Sequence, residues 1–190
     1  MSSRVSSGWA IACLPALLAA AGCTTGGDAP VQANDAVAVS PDEAAPAAPA
    51  RKGGTVDRSH KGEAMPKSAL TDLDGKAFAP ARGPLLVNLW ATWCAPCVAE
   101  LPALDAAAAG IQAIALNQGE DAAKVRAFLA DRKLAHLRPV LDPAMAVSMG
   151  LSANLPTTIL YDAAGKEIWR VTGARDWTDA ESGALIAEAR

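Results

Sequence analysis

The feature that most constrains this chain is Cys94-Ala95-Pro96-Cys97. It stands between the apolar run Leu85-Leu86-Val87-Asn88-Leu89-Trp90 and a helical stretch to about Ala109. A Cys-x-x-Cys at a strand-to-helix junction reads as a redox pair. Cys94 falls at the helix N-terminus, where free backbone N–H groups and the positive end of the helix dipole favour an anion. A thiolate is stabilised there, which draws its pKa from ~8.5 toward neutrality or below. Cys97 follows one turn later on the same helical face. Its sulfur can therefore reach the mixed disulfide formed when Cys94 attacks a partner, as thiol–disulfide exchange requires.

Composition narrows the alternatives. The chain has 190 residues, a net charge of -3 and four cysteines. It has no basic block to track a phosphate backbone, so nucleic acid is not an expected partner. Cys13 lies in an N-terminal apolar run and Cys23 ends it, which leaves Cys94 and Cys97 in the region expected to fold. Residues 1–22 read as an export signal: Arg4, an apolar run from about Trp9 to Ala21, then small residues. The end, Leu17-Leu18-Ala19-Ala20-Ala21-Gly22-Cys23, resembles the lipobox of bacterial lipoproteins, with Ala20 where that motif usually has Leu. The resemblance implies cleavage before Cys23 and its diacylation, hence a lipid anchor to the membrane. A plain signal peptide and an uncleaved anchor are the alternatives, although Gly8–Gly22 is shorter than the ~20 residues a span needs. All three place the domain outside the cytoplasm. Residues 23–66 are rich in Ala, Pro and Gly and are expected to form a disordered tether. His60, within it, reads as solvated.

Residues 67–190 carry the pattern of one folded domain. A short hairpin is expected over Ala69–Phe78, turning at Asp74-Gly75. Buried-type strands follow at 85–90 and 110–117, flanking the cysteine helix, in which Pro102 should cause a kink. Val125, Phe128 and Leu129 give a helix over Asp121–Lys133. A strand at 137–141 and a short helix over 143–149 come next. Runs at 155–161 and 167–172 form an antiparallel hairpin. Thr178 and Asp179 are suited to cap a terminal helix to Arg190. Alternating strands and helices imply an α/β fold, a central mixed sheet with helices on both faces.

This order, with Trp93-Cys94-Ala95-Pro96-Cys97 before a helix and Leu155-Pro156-Thr157 before a hairpin strand, resembles the thioredoxin fold. More narrowly, Asn88 to Pro102 (Asn-Leu-Trp-Ala-Thr-Trp-Cys-Ala-Pro-Cys-Val-Ala-Glu-Leu-Pro) is similar to the exported TlpA/ResA/CcmG group of membrane-tethered thiol–disulfide oxidoreductases. The resemblance implies that Cys94 is the nucleophile, Cys97 the resolving thiol, and Ala95-Pro96 the dipeptide that tunes reduction potential. It implies that Pro156 is a cis-proline facing the disulfide and that the Leu155 backbone pairs with a substrate strand. It associates Glu100 with proton transfer. Burial would raise the Glu100 pKa and let it take the proton of Cys97, whereas a solvated Glu100 would only complement the helix dipole. Asn88 stands where cytoplasmic thioredoxin has a buried aspartate, so a proton relay must use Glu100 or water. Trp93 should shield the site and contact substrates. Trp90, Trp169 and Trp177 read as packing residues.

The expected partners are protein dithiol or disulfide substrates. By resemblance these are apocytochrome c cysteines or a copper-site assembly factor, with a transmembrane electron donor of the DsbD/CcdA type restoring the dithiol. No cofactor is called for. Two other classes use the same pair: a soft-metal (copper) carrier, and a binding module with a structural disulfide. His136 is the other histidine in the domain, on a different segment, so a four-ligand zinc set is not evident. The Pro-x-x-x-Thr-x-x-Cys signature of peroxiredoxins is absent.

Overall fold

The structure, a computed structural model, describes residues 53–189. The expectations for the export signal, for Cys23 and for the tether as far as residue 52 concern residues outside these. Ten elements run in the order β1 (Thr55–Asp57), β2 (Leu85–Trp90), α1 (Ala95–Ala107), β3 (Gln112–Gln118), α2 (Ala122–Leu129), β4 (Leu137–Asp142), α3 (Ala146–Gly150), β5 (Thr157–Tyr161), β6 (Glu167–Thr172) and α4 (Ala180–Ala187). The strands form one sheet in the order β1-β6-β5-β2-β3-β4. β2, β3 and β4 are parallel, and β5, β6 and β1 continue the sheet antiparallel.

Alternation along β2 divides the core. Leu86 and Trp90 point to one face, Leu85, Val87 and Leu89 to the other, as a two-residue period requires. The first face buries Leu101 and Leu104 of α1, Val125 of α2 and Leu185 of α4. The second is closed by Val147 of α3 and by Leu70, with Met65 and Phe78 partly buried beside them. Every residue of β2 is buried, so the strand that carries the cysteines into place is held from both sides. Asp105 of α1 is buried and accepts the N–H groups of Ala135, His136 and Leu137 at 2.9, 2.8 and 2.7 Å. It ties the start of β4 to the cysteine helix.

Regular structure is already present within the stretch that composition read as tether. Thr55, Val56 and Asp57 pair with Thr172, Val171 and Arg170, and Gly62 and Glu63 exchange backbone bonds with Glu167 at 2.8 Å. The stretch read as tether therefore covers the edge of β6 from about residue 54. A three-residue strand is too short to show in composition, and its stability comes from its partner. Gly54 shows how close the approach is: a Cβ there would meet Gly173 O and Val171 Cγ1 at 2.7 Å. Nor is His60 simply solvated, since its Nδ1 lies 3.2 Å from the Glu63 carboxylate and its Nε2 3.8 Å from Asp57.

Smaller differences follow local chemistry. The expected hairpin over 69–78 keeps its turn, with Asp72 Oδ1 accepting from the N–H groups of Asp74 and Lys76 at 2.9 and 3.0 Å. Its strands reduce to one bridge, Thr71 to Ala77, because Thr71 also pairs with Leu141 at the sheet edge. Pro102 lies inside an unbroken α1 on the exposed side. Asp121 and Asp179 cap α2 and α4 through their side chains.

Candidate active site

The chain leaves β2 at Trp90 through a four-residue turn, closed by the Cys94 N–H donating to Ala91 O at 3.1 Å. Cys94 is the N-cap of α1, and its Sγ accepts the Cys97 N–H at 3.3 Å. The sulfur thus occupies the place of a capping oxygen, where an orphan donor and the helix dipole both favour negative charge. Pro96 suits the first turn because it has no N–H to leave unpaired. A disulfide joins Cys94 to Cys97 with a Cα–Cα distance of 5.3 Å. Cys94 is 5% and Cys97 0% exposed, while Ala95 and Pro96 face solvent. Trp93 stands out at 68% exposed.

The second wall comes from β5. Leu89 pairs with Thr157, so the next step of that register sets Pro156 beside Trp90, just before the cysteine turn. The Leu155–Pro156 bond is cis. The Pro156 carbonyl accepts the Gly173 N–H at 2.9 Å, and Thr157 Oγ1 donates to Asn154 O at 2.7 Å. Leu155, partly buried, touches both core clusters.

One helical turn beyond Cys97 on α1 lies Glu100, 2% exposed. Its Oε1 accepts from Asn88 Nδ2 at 3.1 Å. Its Oε2 accepts from the Arg175 N–H at 3.1 Å and from Trp177 Nε1 at 3.4 Å. Burial disfavours the carboxylate and raises its pKa from 4.5 to about 7, because the three neutral donors offset only part of the desolvation. Asn88 uses its second N–H on Thr158 Oγ1 at 3.0 Å, which links the glutamate to the strand that follows Pro156. Among the described residues, no group of three or more His, Cys, Asp or Glu side chains is placed to hold a metal.

Residues 60–186 match the family profile described as Redoxin. The chain belongs to the Redoxin family. It is similar to the thiol:disulfide interchange protein HelX of Rhodobacter capsulatus, at 35% identity over 91 residues, covering 46% of this chain and 51% of the relative. It thus spans about half the length of HelX. Similarity to the thiol:disulfide interchange protein DsbE of Vibrio cholerae is 33% over 128 residues, covering 62% and 70% of the two chains. The fold of this Redoxin domain is that of a putative DsbE from Chlorobium tepidum, with a TM-score of 0.58, 24% identity, and coverage of 68% and 96%. The thioredoxin-like α/β fold expected from the motifs is the one observed.

Sequence reading placed Cys94, Cys97, Glu100, Trp93, Pro96, Leu155 and Pro156 at the site, and the structure brings them to one end of the sheet. It missed the partners of Glu100. Trp177 packs against Trp169 at 6.4 Å between ring centroids but also donates to Glu100, and Arg175 donates from its backbone. Glu120 was missed entirely. It is partly buried beside the cysteine turn and accepts from Thr92, Asn117 and Lys124. No local pattern marks either set.

Proposed function

We propose that this chain is an exported thiol–disulfide oxidoreductase acting on protein substrates, as a reductant, through Cys94 and Cys97. The observation that carries this reading is the Cys94 sulfur at the helix N-cap, receiving the Cys97 N–H. The names of the relatives support the activity. In the dithiol form, Cys94 is the thiolate and attacks one sulfur of a substrate disulfide. The other substrate sulfur leaves and takes a proton. Cys97 then loses its proton and attacks Cys94, which releases the second substrate thiol and leaves the Cys94–Cys97 disulfide. Two electrons pass to the substrate. A donor dithiol, of the transmembrane DsbD/CcdA type, reverses the exchange on this chain.

Glu100 is one helical turn beyond Cys97, and its pKa of about 7 lets it hold a proton at neutral pH and give it up readily. We assign it the proton of Cys97. Trp93 offers a flat apolar contact. The backbone groups of Leu155 make no hydrogen bond among the described residues, which suits them to a substrate strand. Substrates of the apocytochrome c or copper-assembly kind follow from the family resemblance. Anchoring through a lipid on Cys23 follows from the lipobox-like sequence. Among the described residues, no helix is long and apolar enough to cross a membrane.

The test is partner capture in a cell-envelope extract. Cys97→Ser keeps the attacking thiol and loses the resolving one, so it should accumulate mixed disulfides that dissolve on reduction. Cys94→Ser should capture nothing and reduce nothing. Capture by Cys94→Ser instead would reverse the assigned order, and capture by neither would remove the function.

A further inference from the structure

Glu120 touches neither cysteine, yet it grips the turn that presents them. Its side chain is 7% exposed. Oε2 accepts the Thr92 backbone N–H and Asn117 Nδ2, each at 2.7 Å. Oε1 accepts Thr92 Oγ1 at 2.6 Å and Lys124 Nζ at 2.7 Å. Asn117 Oδ1 in turn accepts the Glu120 N–H at 3.2 Å. Thr92 is the second residue of the turn from Ala91 to Cys94, and both of its polar groups that can donate end on Glu120. The loop after β3 therefore holds the loop after β2 immediately before the nucleophile. Charge-assisted bonds of this length are the strong kind.

The value of this grip depends on redox state. In the oxidised protein a covalent bond already fixes Cys94 against Cys97. On reduction that constraint is lost, and the helix start and the Glu120–Thr92 contact remain to hold the turn. How readily the two thiols close again depends on the effective concentration of one at the other, which falls when the turn loosens. The geometry assigns Glu120 as a positioning residue that holds the cysteine turn in the dithiol form and so sets the dithiol–disulfide equilibrium. This inference rests on the redox reading above.

The experiment is equilibration of the chain with glutathione. Protein disulfide plus two glutathione thiols gives protein dithiol plus glutathione disulfide, two electrons and two protons moving together. Glu120→Gln should favour the dithiol about fivefold over the unaltered chain, about 21 mV less negative at 29.6 mV per tenfold. Thr92→Val removes the hydroxyl but keeps the N–H, and should shift the equilibrium at least twofold in the same direction. Lys124→Met should not move it, because Lys124 does not touch the turn. A merely structural Glu120 would lower the melting temperature of both redox forms alike and leave the equilibrium in place. Should Glu120→Gln fail to fold, Thr92→Val decides. A shift below twofold in Thr92→Val, and in Glu120→Gln if it folds, overturns the inference while the redox reading stands. An unaltered chain that does not equilibrate with glutathione would instead overturn the redox reading, and the inference with it.

Discussion

Two glutamates flank the cysteine turn, Glu100 buried and Glu120 partly buried, and end in opposite states. Glu100 is held near a pKa of about 7, and Glu120 is driven down to about 2. Desolvation pushes both upward. At Glu120 it is outweighed by hydrogen bonds from Asn117, Lys124 and Thr92, all within 2.6–2.7 Å and one of them from an ammonium group. At Glu100 the donors are neutral and lie at 3.1, 3.1 and 3.4 Å. Glu120 is less deeply buried than Glu100, and its donors are closer and include a charged one; both differences favour the carboxylate. One site is suited to exchanging a proton and the other to holding a backbone still. The first lies one helical turn beyond Cys97 and the second bonds Thr92 in the turn before Cys94.

The contrast predicts opposite pH dependences. The folded pKa of Glu100 lies above its unfolded value of 4.5. Its contribution is fully present below pH 4.5 and is lost as pH rises through about 7. For Glu120 the folded pKa is depressed. Its contribution is present above pH 4.5 and is lost as pH falls toward about 2. Each shift corresponds to roughly 3 kcal/mol at 1.36 kcal/mol per unit.

The largest expected effect is that of Glu120→Ala. It should cost about 4 kcal/mol at pH 7, the ionic contribution plus the donors left unpaired, with the deficit narrowing toward pH 2. Denaturant unfolding of the oxidised chain across pH measures it, and a deficit that does not change with pH would break the contrast. Next, Glu100→Gln should remove a stability loss of roughly 3 kcal/mol between pH 4.5 and 8. It should also remove the inflection near neutrality in the rate of disulfide reduction. An unmoved rate–pH profile would leave Glu100 a buried carboxyl with no part in proton transfer. Trp177→Phe keeps the ring against Trp169 but deletes the 3.4 Å donor. By carboxyl infrared titration, the Glu100 midpoint should rise by roughly half a unit. The smallest effect is that of Lys124→Met, whose side chain is 58% exposed. Its loss should cost about 0.5 kcal/mol at low salt and less at high salt.

What could be read in advance follows the same division. The β2 run, the Cys-x-x-Cys at a helix start and the β5–β6 hairpin are encoded by neighbours in sequence, through period, turn chemistry and propensity. Glu100 was legible because it is one turn from Cys97 on the same helix. Its donors were not, since Arg175 and Trp177 lie 75 and 77 residues away. Glu120 reaches Thr92 across 28 residues, and only the parallel pairing of β2 with β3 brings their following loops together. Strand β1 was hidden for the same reason, because its pairing partner lies at the far end of the chain. Local chemistry marked Cys94 as the candidate nucleophile, and tertiary contacts set the surroundings of its turn.

The most direct measurement is a thiol titration of the reduced chain, following the alkylation rate of Cys94 in the Cys97→Ser variant against pH. A sulfur at the helix N-cap should titrate at least one unit below the ordinary thiol value of ~8.5. A Cys94 that alkylates only above that value, at the rate of an inert buried thiol, would contradict the account.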